Sequence, residues 1–174
     1  MYTGKLVRLR AFDNADFLHA LDINNDYSVM RSASSGILFP SSAEDQARFM
    51  ERQTSYSSGE YQFAIERLDN SVFIGQCGFL QVNWKNRKAE IAIMLHQNAI
   101  GKGFGTDAVS LLCRFAFDEM NLHKLKATVF SFNKAAIRCY EKCGFVQEGV
   151  LKDEVFREGK YHDACVMALM KPGE

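Results

Sequence analysis

The residues of this 174-residue chain with the greatest chemical reach lie in its second half. Ile100-Gly101-Lys102-Gly103-Phe104-Gly105-Thr106-Asp107 places three alternate glycines directly before a stretch with helical spacing. Glycine permits positive dihedrals and lets main-chain amides approach a ligand. A helix beginning there adds free N–H groups and the positive end of its dipole. Together these make an anion site suited to a pyrophosphate. The interval does not fit a Walker loop, since no Ser or Thr follows Lys102. A dinucleotide fingerprint also fails, because these glycines follow an antiparallel meander instead of opening a parallel unit. The plain alternative is a tight turn that starts a helix.

A second group follows in Ser131-Phe132-Asn133-Lys134-Ala135-Ala136-Ile137-Arg138-Cys139-Tyr140-Glu141-Lys142-Cys143-Gly144-Phe145. Asn133 is placed to cap a helix whose inward stripe includes Ala136, Ile137 and Tyr140. Gly144 is a natural left-handed stop, after which Phe145 can pack back on Tyr140. Cys139 and Cys143 fall on one helical face, but no histidine close in sequence completes a zinc site, and no metal is expected. A covalent acyl route through either thiol lacks a positioned base. On the strand before the glycines, alternation puts Ala89, Ile91, Ile93 and Leu95 on one face. Glu90, Ala92, Met94 and His96 then share the other.

The elements that position these residues follow from periodicity. Leu6 to Phe12 reads as a strand, and Asp13 as the cap of a helix carrying Phe17, Leu18 and Leu21. Asn24 to Ser42 has no clear period and reads as a long loop. A helix is expected from Ser41 or Ser42 to before Gly59, then strands at Tyr61 to Glu66, Val72 to Val82 and Lys88 to His96. After the glycines come an amphipathic helix with Val109, Leu112, Ala116 and Met120, a strand at Lys124 to Phe130, and a helix at Lys134 to Cys143. Strands at Phe145 to Leu151 and His162 to Met170 close the order. The fold class is α/β (α+β): one domain over 1–174, with a mixed, mostly antiparallel sheet of about six or seven strands and about four helices.

Lys plus Arg and Asp plus Glu both total 21, so the formal net charge is zero. Broad nucleic-acid binding needs a cationic surplus and is not expected. The 5 cysteines are odd in number without a Cys-x-x-Cys pair, which favours a reducing cytoplasm over a disulfide framework. The start, MYTGKLVRLRAF, alternates like a strand and not like a signal peptide, and no stretch approaches the ~20 apolar residues of a membrane span.

Over essentially its whole length the chain resembles the GNAT superfamily of N-acetyltransferases. The likeness is to the branch with ribosomal-protein N-terminal acetyltransferases and spermidine acetyltransferases. It is carried by LDINNDYSVMR, AEIAIMLHQNAIGKGFGTDAV and LHKLKATVFSFNKAAIRCYEKCGFVQEGVLKDEVFREGKYHDACVMALM. The resemblance implies acetyl-CoA as cosubstrate. By position, Lys102, Gly103, Phe104, Gly105 and Thr106 would supply amides to its pyrophosphate. Ile93 and Leu95 would offer main-chain partners to the pantetheine, and Asn133 would contact the cofactor arm. The arginine or glutamine usual in the family falls here at Ile100. Tyr140 matches the tyrosine proposed as general acid, and a phenol with an ordinary pKa near 10 carries its proton at neutral pH. Glu90, on the acceptor side, is the expected base, directly or through water; His96 is the weaker candidate.

The implied reaction is direct attack of a primary amine in a ternary complex. The amine would be a protein N-terminus or a small amino compound, walled by 24–40 and the turn at Trp84. A polyamine acceptor is the alternative, disfavoured because that loop gathers few carboxylates. A noncatalytic acyl-CoA-binding module and a nucleotide-binding protein are the rivals of other classes. Edge strands near the C-terminus could pair two copies into a homodimer.

Overall fold

The computed structural model describes residues 2–53 and 61–173. Its sheet has eight strands in the order β1-β2-β3-β4-β5-β6-β8-β7. β1 (Tyr2–Thr3), β2 (Val7–Arg10), β3 (Tyr61–Arg67), β4 (Phe73–Asn83) and β5 (Lys88–Leu95) form an antiparallel run. β6 (Lys124–Phe130), β8 (Lys160–Met170) and β7 (Val146–Arg157) form a second. The helices are α1 (Phe17–Asn25), α2 (Tyr27–Ala33), α3 (Ala43–Gln53), α4 (Phe104–Asp118) and α5 (Lys134–Lys142).

This exceeds the expected six or seven strands and four helices for physical reasons. Alternation runs unbroken through the first residues, yet the chain turns at Gly4, where Gly4 N–H bonds to Val7 O at 2.9 Å. The Asp107 carboxylate holds that turn by accepting from Lys5, Leu6 and Val7 N–H at 3.2, 2.7 and 3.0 Å. The stretch read as a loop contains α2, capped by Asp26, which accepts from Ser28 N–H at 2.8 Å. Its serines hid the helical period. The C-terminal hairpin is longer than expected because β7 passes through irregularities at Gln147/Gly149 and Leu151/Val155 that break alternation. α3 starts as expected, with Ser42 and Asp45 in reciprocal hydrogen bonds; its expected close before Gly59 lies outside the described residues.

The main core lies between the sheet and α4 and α5. It includes Leu9, Ile65, Phe79, Ile91, Leu112, Leu125 and Met167. On the opposite face a smaller cluster of Ala20, Ile23, Val29, Ala64 and Phe73 seats α1 and α2, with Met94 packed against it. Burying apolar area at roughly 25 cal/mol per Å² makes both clusters major stabilisers. The two faces therefore match the expected alternation along β5.

A charged network ties α1 to the sheet. Arg10 makes paired hydrogen bonds to Asp16 at 2.7 and 2.8 Å and a further one to Glu66, which also pairs with Arg8. Glu66 is 5% exposed. Burial pushes its carboxyl pKa up, but the hydrogen bonds and charges of Arg10 and Arg8 outweigh this and hold it below its ordinary value of 4.5. A depressed folded pKa stabilises above the unfolded value and is lost as pH falls through the folded one. Urea midpoints should accordingly fall as pH drops below about 4.5, and fall less steeply in Glu66→Gln; parallel profiles would remove Glu66 from acid sensitivity.

Candidate active site

The site begins with a break in the sheet. β5 and β6 are the one parallel pair among the described residues, and they stay in register only from Lys88, Ala89 and Glu90 to Lys124, Leu125 and Lys126. β5 continues to Leu95 bonded to β4, while β6 continues to Phe130 bonded to β8. Beyond Glu90 the facing edges separate. His96 N–H bonds to Ile74 O on β4 at 2.8 Å. Main-chain groups alternate along a strand, so those of Ile93 and Leu95 point the other way, into the split.

The glycine turn closes the upper end of this split. Gly103 caps α4 in the left-handed region at φ 88°, a conformation that glycine adopts without strain. The first bond of α4 runs from Asp107 N–H to Gly103 O at 3.1 Å. The amides of Phe104, Gly105 and Thr106 therefore have no helical acceptor, and none is found among the described residues. A cavity of about 340 Å³ lies there, between α2 on one side and α5 on the other. Of the expected site residues, Ile93, Leu95, Gly103, Gly105, Thr106 and Asn133 line it. Lys102 is exposed on the turn, and the Phe104 ring is 8% exposed, packed under the Arg67 guanidinium at 5.0 Å. Any role of Phe104 here is through its amide.

α5 forms the facing wall because Asn133 caps it, accepting from Ala136 N–H at 3.1 Å, and Gly144 ends it at φ 90°. Its apolar stripe faces the core, with the Tyr140 ring edge-on to Phe145 at 5.1 Å. Tyr140 is 3% exposed and is not part of the cavity lining; burial, then the neighbouring cysteines, push its pKa up and keep it protonated. Cys139 lines the cavity, its thiol near Thr106 Oγ1 at 3.8 Å. Cys139 and Cys143 lie one turn apart on α5 and influence each other, which raises the pKa of Cys139 and lowers that of Cys143, while the Cys143 thiol donates to Thr106 O at 3.4 Å. Arg138 and Lys142 bring positive charge to the same wall.

Glu90 sits where the strands part. Its Oε1 accepts from Thr128 Oγ1 across the opening at 2.8 Å. Glu90 and Tyr140 are thus placed on opposite faces of the sheet. His96 is occupied as a cap, accepting from Asn98 N–H at 3.1 Å. Sequence reasoning missed Thr128, Arg138 and Lys142; Ser28, Val29, Ser32 and Ala33 fall within the 24–40 stretch expected to wall the acceptor, but they line the cleft from a helix and not from a loop. The lysine and arginine were legible as an i, i+4 pair on α5; Thr128 needed the β5–β6 register.

The tip of the β7–β8 hairpin latches onto α2. Arg31 pairs with Glu158 at 3.1 Å and lies over the Phe132 ring at 5.2 Å. Arg157, 8% exposed, donates to Arg31 O at 3.4 Å and Gly36 O at 2.9 Å, and also to Ser34 O. Among the described residues no cluster of three His, Cys, Asp or Glu could hold a metal ion, and no helix is long and apolar enough to cross a membrane.

Comparison with known proteins agrees with this geometry. The chain is 29% identical over 163 residues to a spermidine N(1)-acetyltransferase of Vibrio cholerae, covering 94% of this chain and 92% of that protein. It is 29% identical over 176 residues to a spermidine N(1)-acetyltransferase of Escherichia coli K12, covering 98% and 89%. A Vibrio cholerae spermidine N-acetyltransferase solved with CoA and spermine superposes with a TM-score of 0.85 at 27% identity, over 94% of this chain and 95% of that one. The acetyltransferase (GNAT) domain family matches residues 7–146, from the first residue of β2 to the first of β7, a span that holds every wall of the cleft. The chain belongs to the GNAT family of acetyltransferases, and its chemistry is acetyl-CoA-dependent acetylation of an amine.

Proposed function

We propose that the chain transfers the acetyl group directly to a primary amine, either a protein N-terminus or a small amino compound, in a ternary complex. The observation that carries this reading is the convergence of unpaired main-chain groups on one cleft. The amides of Gly105 and Thr106, with the unpaired amide of Phe104 next to them in the chain, meet it from α4, and those of Ile93 and Leu95 from β5. Three amides at a helix start suit a pyrophosphate, and Lys102, Arg138 and Lys142 add local positive charge to a neutral chain. Ile93, Leu95 and Ala136 offer apolar contact for an extended arm, and Asn133 lies beside them.

Acetyl-CoA supplies an acyl group already activated as a thioester. An alkyl ammonium titrates near 10.4, so a base must take its proton before attack. Glu90 takes it, directly or through water. The β5 amides polarise the carbonyl as the C–N bond forms and the C–S bond breaks. Tyr140, kept neutral by burial, gives its proton to the departing sulfur. A polyamine acceptor is the second reading, favoured by the relatives' names. Within 24–42, however, the one acid is Asp26, whose carboxylate caps α2. β7, which ends the sheet, is where a second copy would pair, and five free cysteines fit a reducing cytoplasm.

Calorimetry with acetyl-CoA, CoA and ATP should show binding of the two CoA species and little of ATP; preference for ATP would contradict acetyl transfer. A Cβ at Gly105 would lie 3.4 Å from Leu95 and 3.5 Å from Cys139, so the branched side chain of Gly105→Val projects into the cleft. That variant should lose acetyl-CoA affinity by about 100-fold while melting close to the parent, whereas undiminished binding would place the ligand elsewhere. Tyr140→Phe should lower kcat by about 100-fold or more with acetyl-CoA affinity changed less than about twofold. Unchanged turnover would remove Tyr140 from the acid role.

A further inference from the structure

The concave surface that borders Glu90 outside the cleft is a second cavity, of about 360 Å³. It is lined by Lys88, Lys124, Lys126, Glu148, Gly149 and Val166. Lys88 lies two residues from Glu90 on β5, and Lys124 and Lys126 stand in register with Lys88 and Glu90 on β6. Side chains two apart share a face, so this groove lies on the Glu90 face, away from α4. Thr128 holds Glu90 at its upper rim. Further up the same face, the hairpin latch of Arg31, Arg157 and Glu158 closes over α2.

The groove is positively charged. Lys124 is neutralised by Glu148 at 2.6 and 2.7 Å. Lys88 and Lys126 have no acidic partner among the described residues. Glu90 offsets one of these charges, but its carboxylate is directed to Thr128 and, in the reading above, to the reacting nitrogen. A polyamine laid across this surface would set ammonium against ammonium, while a carboxylate would turn the same charges into attraction.

We propose that the groove selects an acidic acceptor, a primary amine with carboxylates close to it, and that Lys88 and Lys126 determine this specificity. The proposal rests on the acetyl-transfer reading and adds the substrate class to it. Neighbouring strands lie about 4.8 Å apart and alternate residues about 6.6 Å. A carboxylate at the second or third position of a peptide, or on the side chain of a free amino acid, therefore reaches Lys126 or Lys88 from an amine held at Glu90.

Thiol release from acetyl-CoA tests this with peptides that share an N-terminal serine followed by Asp-Glu, Asn-Gln or Lys-Lys, and with free glutamate and spermidine. The acidic acceptor should show kcat/KM at least ~10-fold above the Asn-Gln peptide and above both cationic acceptors, declining as salt is raised. In the Lys88→Gln/Lys126→Gln double variant the acidic-to-neutral ratio should fall to within about twofold. Preference for the acidic peptide over glutamate assigns the acceptor to a protein N-terminus, and the reverse to a small amino acid; either supports the proposal. Spermidine used as well as the acidic acceptors, an acid preference insensitive to salt, or a ratio unchanged in the double variant would overturn it while leaving acetyl transfer intact. Release with none of the amines would overturn the acetyl-transfer reading and the proposal together.

Discussion

β5 is bonded along its length to β4 and β6 along its length to β8, yet the two strands share only the register from Lys88–Glu90 to Lys124–Lys126. Each belongs to its own antiparallel run, and the runs diverge. An interior edge is thereby left open inside a sheet, where unpaired N–H and C=O groups are normally excluded. The candidate site is arranged around that opening. The opening frees the main chain of Ile93 and Leu95, gives α5 a gap to face, and sets Glu90 at the point of separation.

The same first turn of α4 serves two purposes. Its Asp107 side chain faces outward to collect three amides of the N-terminal turn, while its own Phe104, Gly105 and Thr106 amides stay without partners. The backbone thus offers a ligand the dipole and donors of a helix start without needing a net cationic chain. On the other face, the Arg10–Asp16–Glu66 network and the apolar cluster around Ile23 and Val29 fix α1 and α2.

Much of this was legible in the sequence. β6 and α5 were read to within a residue because their apolar positions repeat cleanly and Asn133 and Gly144 mark the ends. The glycine loop was legible from its spacing between a strand and a helix, and the left-handed turn at Gly103 and the start of α4 are where that spacing puts them. α2 was not legible, since its serines carry no period, nor was the turn at Gly4, since alternation continues through it. The lysine groove was invisible for a different reason. Lys88, Lys124 and Lys126 become neighbours only through the crossover pairing of β5 with β6, and Glu148 joins them only through β8. Tyr140 shows a further limit. Its spacing fits both a helix-end contact with Phe145 and a proton donor, and the contact is present whichever role it plays.

In the proposed reading acetyl-CoA lies in the split between β5 and β6, against specific main-chain amides. Hydrogen exchange of the full chain with and without saturating acetyl-CoA tests that placement most directly. Slowed exchange is expected in segments containing Ile93, Leu95 and Phe104 to Thr106, with little change in β1 to β3. Unchanged exchange across those segments while acetyl-CoA binds, or protection confined to another part of the sheet, would contradict it.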